Sequence, residues 1–393
     1  MKDWTEDNIG NLVDVNAKTA GRSFAYENIE YIDTSSVTDG IFDVPQIIEF
    51  KNAPSRAKRI VINNDIIIST VRPNLKHFGF IKNPKPNTIV STGYAVISSK
   101  KIDAKFLYYY LASDFVTNYL SLISENQTSA YPSFNPELIK KLKIQYPEKP
   151  ETQQRIASIL SAYDDLIEVN NQRIKLLEQT ARELYKEWFV RMRFPGYKQA
   201  KFKKGIPEKW KTIAISDMVD FKMGQSPKSE FYNEDGIGLP FHQGVGNYGL
   251  RFPEHKVFCS VNGRIANEGD VLFSVRAPVG RLNIADRKII IGRGLAALRH
   301  KKGLNNYLFY LLQNEFSKED LIGNGSIFNS VGKDELKKFK IFDVGDLAKQ
   351  FNDFVEPIDK QLLNLIHQNT QLRQIRDRLL PRLISGKLKV SEL

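Results

Sequence analysis

Asp65-Ile-Ile-Ile-Ser-Thr-Val-Arg72 and Asp270-Val-Leu-Phe-Ser-Val-Arg276 are one pattern written twice: an apolar run that starts at an acid and ends near an arginine. Branched and aromatic side chains favour an extended backbone, so each run is predicted as a strand feeding an arginine-bearing turn. The pairing continues along the chain in the same order. Residues 106–111 (FLYYYL) match 307–312 (YLFYLL) as a short helix with an aromatic and aliphatic face. Ser129-Ala-Tyr-Pro-Ser-Phe followed by 136–144 (PELIKKLKI) matches Ser326-Ile-Phe-Asn-Ser-Val followed by 333–341 (KDELKKFKI). Each of these is a turn, an amphipathic stretch and a final strand. The spacing between copies falls from 205 to 197 residues along the chain, so the copies differ by small loop insertions. A repeat of this length is a duplicated domain, since solenoid units run to about 20–50 residues.

Each copy is followed by a long helical pattern. The first spans residues 152–191, between Pro147 and Pro150 on one side and Phe194-Pro195-Gly196 on the other, residue types that mark helix ends. Its apolar positions are Ile156, Ile159, Tyr163 and Leu166, then Ile174, Leu177, Ala181, Leu184 and Trp188, with an interruption near Asn170. The second spans 346–385, with Phe351, Phe354, Ile358, Leu362, Leu365, Leu372, Leu379 and Leu383, and Pro357 is expected to kink it or mark its real start. Steps of three and four sustained this far define a coiled-coil seam. Two helices of this length reach about 60 Å each at about 1.5 Å per residue, and a seam that long needs a partner. The obvious partner of each is the other.

The expected fold class is therefore α+β: two duplicated globular domains, 1–150 and 196–345, joined by two long helices in 151–195 and 346–393. Antiparallel pairing of the helices gives a dumbbell with internal pseudo-twofold symmetry. The net charge of +12 is uneven, with 24 basic against 16 acidic residues in 196–345 but 18 against 16 in 1–150. Such an excess is a generic footprint of polyanion binding. A single cysteine, Cys259, excludes an internal disulfide framework. The charged start MKDWTEDNIG is unlike a secretory leader, and no apolar run approaches a bilayer span, so a cytoplasmic protein without membrane contact is expected.

On this duplicated frame, five segments resemble the specificity subunits of type I restriction–modification systems. They are Gly224-Gln-Ser-Pro-Lys-Ser-Glu-Phe-Tyr232, Gly269-Asp-Val-Leu-Phe-Ser-Val-Arg276, and the stretches 151–160 (ETQQRIASIL), 169–177 (VNNQRIKLL) and 383–388 (LISGKL). The resemblance covers the whole chain and the order of its parts. It implies that the two globules are target-recognition domains, each reading half of a bipartite, asymmetric double-stranded DNA site. It also implies that the helices set the spacing and dock two modification (methyltransferase) subunits, with restriction (endonuclease and translocase) subunits joining them. S-adenosylmethionine, ATP and Mg would then belong to those partners, and this chain would hold no cofactor and catalyse nothing. The first domain lacks a clear counterpart of the 224–232 loop.

Catalytic signatures are missing from the sequence. Amino methylation of a base needs an Asn/Asp/Ser-Pro-Pro-aromatic tetrapeptide, and Asn83-Pro-Lys-Pro86, the nearest approach, has lysine where proline is required. No strand leads into a glycine-rich helix start, and no Gly-x4-Gly-Lys-Ser/Thr occurs. The five histidines and Cys259 lack tetrahedral metal spacing. DNA reading instead needs cations for phosphates and forked or amide side chains for base edges. The candidates in the first domain are Arg56, Lys58, Arg59, Arg72, Asn74, Lys76, Gln127, Ser129 and Tyr131. Those in the second are Lys222, Gln225, Ser226, Lys228, His242, Gln243, Arg276, Arg281, Arg293 and Ser326. Arg72 and Arg276 lead because they occupy corresponding places in the repeat. The competing expectation is a coiled-coil scaffold that binds a protein partner and no nucleic acid, which the rod and duplication would suit equally well.

Overall fold

The computed structural model describes residues 3–21, 24–127, 132–316 and 332–390. The chain forms two compact units, one of Met1–Asn170 with Gln368–Leu393 and the other of Asn171–His367. Each unit therefore contains one recognition-type domain and one half of each long helix.

The acid-to-arginine runs are central strands. In the first unit Ile66–Ser69 lies between Tyr94–Ser99 and Phe78–Phe80, with Val13–Val15 at the far edge of Tyr94–Ser99. In the second, Val271–Ser274 lies between Leu295–His300 and Leu282–Ile284, with Val219–Met223 at the far edge. The two sheets have the same strand order. The two central strands, Ile66–Ser69 and Val271–Ser274, are buried at every position and apolar over their first three residues because both faces are covered. Ile66 and Ile68 enter the main core with Phe106 and Leu107, while Ile67 faces a second cluster with Val37, Tyr94 and Val96. Val271 and Phe273 likewise face Tyr307 and Leu308, while Leu272 packs with Ile289 and Ile291. The leading acids close the entering turns: the Asp65 carboxylate accepts from Ile62 N at 2.8 Å and Asp270 from Asn267 N at 2.8 Å.

A second sheet packs beside each of these. Its order in the first unit is Gln46–Glu49, Asn28–Ile32, Thr88–Ser91, Ala57–Ile60, and the two middle strands run parallel. In the second unit Leu239–His242 and Ile289–Ile291 form the matching parallel pair. Each domain is closed by antiparallel pairing of a strand near its start with its last strand, Trp4–Asn8 with Lys143–Pro147 and Lys211–Ala214 with Lys340–Asp343.

The long helices are Pro150–Tyr185, continued by one π-helical turn over Lys186–Val190, and Asp346–Ile384, which runs unbroken through Pro357. Within each unit they pair antiparallel. In the first, Ile156, Ala157 and Leu160 share a core with Leu380, Leu383 and Ile384, and further along Asn170 meets Asn369. In the second, Ile174 packs on Leu362 and Leu365, and Tyr185 and Trp188 lie against Phe351. Of the expected seam, Ile156, Phe351 and Leu365 are buried, and Ile159, Tyr163, Leu177, Leu184, Ile358, Leu372 and Leu379 are half-buried.

Leu166 and Phe354 do not belong to the seam; they are 40% and 59% exposed, and Ile167 and Val355 take their places. At about 100° per residue, a step of three from Tyr163 or Phe351 turns about 60° off the stripe, whereas a step of four turns about 40° the other way, toward the next buried residue. The seam is also not broken at Asn170. That side chain is fully buried, and its Nδ2 donates to Asn369 Oδ1 at 2.9 Å and Gln368 Oε1 at 3.0 Å. A polar pair inside an apolar seam fixes register at some cost in stability.

Candidate nucleic-acid interface

In the second unit three chain segments converge beside the parallel strands. Gly224 and Gln225 leave the strand Val219–Met223, Gln243 leaves Leu239–His242, and Gly292-Arg293-Gly294 links Ile289–Ile291 to Leu295–His300. Gln225 N donates to Ile291 O at 3.0 Å and Gly294 N to Gln243 O at 3.0 Å. Ser226 Oγ donates to Gln243 Oε1 at 2.6 Å and accepts from Arg293 N at 3.1 Å. The glycines permit this closeness: a Cβ on Gly224 would lie 2.1 Å from Gly292 O, and one on Gly292 would lie 2.8 Å from Gln243 Cα. Gln225, Gln243 and Arg293 are exposed around this knot. Val275 N donates to Gly294 O at 2.9 Å, which brings exposed Arg276 alongside, and Arg281 is exposed in the same turn region. An amide-bearing, glycine-tight edge flanked by guanidinium groups has the donors and acceptors that base edges and phosphates require. Of the other candidates, Lys228 is exposed, while Lys222 Nζ is tied to Ile265 O at 2.8 Å.

His242 belongs to the interior and not to this surface. It is 1% exposed, at the end of its strand, and its Nε2 lies 3.0 Å from His255 Nδ1, whose Nε2 lies 2.9 Å from Asp286 Oδ1. His255 Nε2–H donates to the carboxylate, so the Nδ1 of the neutral ring accepts from His242 Nε2–H, and His242 Nδ1 is left buried without a partner. Burial, aided by His255, pushes the His242 imidazole down to about 4 from 6.5. Above pH 6.5 both folded and unfolded states hold it neutral. Below that the unfolded chain takes up a proton that the folded state refuses, so stability falls as pH drops from 6.5 toward 4. At about 1.4 kcal/mol per pH unit, the loss attributable to His242 is roughly 3 kcal/mol. Urea melts of the second unit at pH 7 and 4.5 should show this slope, and His242→Gln should reduce it, with buried His300, also held down to about 4, contributing the remainder. An equally steep slope in that variant would refute the assignment.

The first unit repeats the frame with different side chains. Thr70 N donates to Gly93 O at 2.8 Å, as Val275 does to Gly294, and Thr92 N donates to Arg56 O at 2.7 Å. The turn after Thr88–Ser91 is thus laid beside both Arg56 and the segment leading to Arg72. Arg72 is exposed and adopts a left-handed backbone (φ 48°), an uncommon state for a non-glycine residue. Arg56 pairs with Asp33 at 2.6 Å and Lys76 with Asp114 at 2.8 Å. Lys58 and Asn74 are exposed, and Arg59 is half-buried with Nη1 3.3 Å from Thr19 Oγ1. Ser129, Tyr131, Ser326 and the Gln127 side chain lie outside the described residues.

The family model for the type I restriction modification DNA specificity domain matches residues 1–179 and again 207–364, most of the chain and both copies of the repeat. The chain belongs to this family. The putative type I restriction enzyme MjaX specificity subunit of Methanocaldococcus jannaschii is 28% identical to it, covering 99% of this chain and 94% of the relative. The type I restriction enzyme HindI specificity subunit of Haemophilus influenzae is 33% identical over a match covering 48% of this chain and 41% of that one. The crystal structure of a type I restriction–modification S subunit from M. genitalium shares the fold, with a TM-score of 0.60 at 17% identity over 97% of this chain and 96% of that one. This type I specificity subunit is thus a sequence-specific DNA-recognition protein, and the scaffold alternative finds no support. Among its described residues no helix is long and apolar enough to cross a membrane.

Two features escaped the sequence reading. Gly292 and Gly294 flank Arg293, and a Gly-Arg-Gly triplet between apolar runs was a usable signal. The pairing of Arg56 with Asp33 had none, because the two residues stand 23 apart with no shared pattern.

Proposed function

We propose that each recognition domain of this type I specificity subunit reads one half of a bipartite double-stranded DNA site. The convergence of Gln225, Gln243, Arg276 and Arg293 on one edge of the second unit carries this reading. In the first unit Arg72 and Lys58 take the corresponding role, with Arg56 held by Asp33. The chain itself catalyses nothing and holds no cofactor; methylation and cleavage belong to partner subunits that use S-adenosylmethionine, ATP and Mg in the cytoplasm. Two modification subunits dock, one per repeat, on helix faces outside the seam. In the first unit Leu166 and Val169 offer such an apolar face, and in the second Leu176 and Phe354 do.

Exchanging residues 1–150 for the homologous domain of another member should change one half of the methylated sequence and leave the other half intact. Sequencing of methylated motifs in cells carrying the chimera reads this directly. A change in both halves together would defeat the two-reader assignment.

A further inference from the structure

A Tyr–Asp–Arg cluster occurs in each unit where the recognition domain meets the helices, buried in the second unit and part-buried in the first. Asp164 and Asp359 each stand eight residues after a buried seam residue, Ile156 or Phe351. Tyr109 and Tyr310 hold the same place in the paired helix segments 106–111 and 307–312. Tyr109 Oη donates to Asp164 at 2.6 Å and Tyr310 Oη to Asp359 at 3.1 Å. An arginine completes each cluster: Arg376 Nη1 lies 2.6 Å from Asp164, and Arg251 Nη2 lies 2.6 Å from Asp359.

The arginines come from opposite sides of the contact. Arg376 sits on the second long helix, and the recognition domain answers it with Asp39 at 3.4 Å, at the tip of a tight hairpin. Gly40 at that tip lets the hairpin approach Tyr108, whose hydroxyl would lie 2.6 Å from an added Cβ. Arg251 instead belongs to the recognition domain, on a tight loop closed by Tyr248 and Pro253, with its guanidinium 3.6 Å over the Phe309 ring. There the helices contribute acids: Asp359, and Glu178, which is close enough to feel both Arg251 and Asp359. The Arg376 side chain is 12% exposed and the Arg251 side chain 1%. Charges so buried are costly to leave without a counterion.

We propose that the two recognition domains are keyed to their helix pairs by ionic locks of opposite polarity, the first domain supplying an anion to Arg376 and the second a cation to Asp359. The keys make Asp39 and Arg251 positioning residues: they hold each reading edge on its helices and reject a domain carrying the wrong charge. A domain built for the first seat carries an acid where the second seat needs an arginine, so transfer between seats requires transfer of the key.

The test rebuilds the second lock inside the first. D39R sets a cation against Arg376, R376E sets an acid against Asp164 and Asp377, and D39R/R376E restores one domain cation facing the helix acids. In the full chain, each single variant is expected to unfold roughly 5–10 °C lower. When each is assembled with its modification subunits, binding to the chain's own DNA site should weaken roughly tenfold or more, with the double variant returning to within about threefold of the parent. Rescue by reversed charge separates keying from simple packing, which reversal would not restore. A double variant no better than the poorer single overturns the proposal. D39N serves if R376E does not fold, because asparagine suits the positive-φ turn at Asp39 (φ 48°). It should melt below the parent, and parental melting and binding would overturn the role of Asp39. The melting readout does not depend on the DNA reading above, so a failure of that reading leaves this test standing.

Discussion

Phe351→Ala is expected to cost the second unit about 3–5 kcal/mol, enough to remove a third or more of a typical domain's stability. The ring is fully buried, with centroids of Tyr185 at 5.6 Å, Trp188 at 5.8 Å, Phe189 at 5.4 Å and Tyr310 at 5.8 Å. These rings come from the first long helix with its π-helical turn and from the recognition domain's own helix, so the cavity would open where both meet the second long helix. Hydrogen exchange should show amides of 196–345 losing protection while those of 1–150 keep theirs. Phe354→Ala, three residues on, removes the same side chain from a position 59% exposed. It is expected to change stability by no more than about 0.5 kcal/mol. Equal costs at the two positions would mean that the seam runs through Phe354 after all.

Gly224→Ala should abolish reading of one half-site while leaving the fold standing. The new methyl would lie 2.1 Å from Gly292 O and 2.7 Å from Ile291 O, both backbone atoms that no rotamer change can move aside. The loop bearing Gln225 and Ser226 must shift, and with it the bond from Ser226 to Gln243 and the seat of Arg293. Each base pair misread costs about 1–3 kcal/mol, so losing two contacts weakens specific binding roughly 100-fold or more. Because phosphate contacts are retained, non-specific binding and its salt dependence should change little. Competition between the chain's own site and unrelated DNA, assayed on the assembled complex, measures the difference. A variant that keeps its discrimination would place the reading edge elsewhere.

The recognition-type strands were legible because their covering is simple. Ile66–Ser69 and Val271–Ser274 are buried on both faces, so each appears in the sequence as an apolar run of three residues that closes on a serine. The duplication was legible for the same reason: packing constrains the type of residue at each place, and both copies obey the same packing. The helices were legible from their period, and most of the seam with them. Leu166 and Phe354 misled because hydrophobicity records what a residue could bury and not which way it points. Asn170 misled in the opposite sense, since a lone polar residue looks like a break until its counterpart Asn369 is seen facing it.

The proposed reading edge was only partly visible. Arg276 and Arg72 could be picked out because the repeat places them in register, and Gln225 and Gln243 because amides in glycine-rich loops are suited to base edges. His242, one residue before Gln243, was indistinguishable from it by composition, yet it ends a strand buried on both faces, whereas Gln243 lies just beyond that end and is exposed. The duplicated domains and the helical seam were readable from the chain alone, because each rests on local periodicity or on a comparison of the chain with itself, and the family was readable from the five segments that resemble it. The tertiary structure alone decided which polar side chains face inward and how Arg251 and Arg376 find their acids. Those pairings join residues 108 and 212 apart in the chain, and charge at such separations leaves no periodic trace.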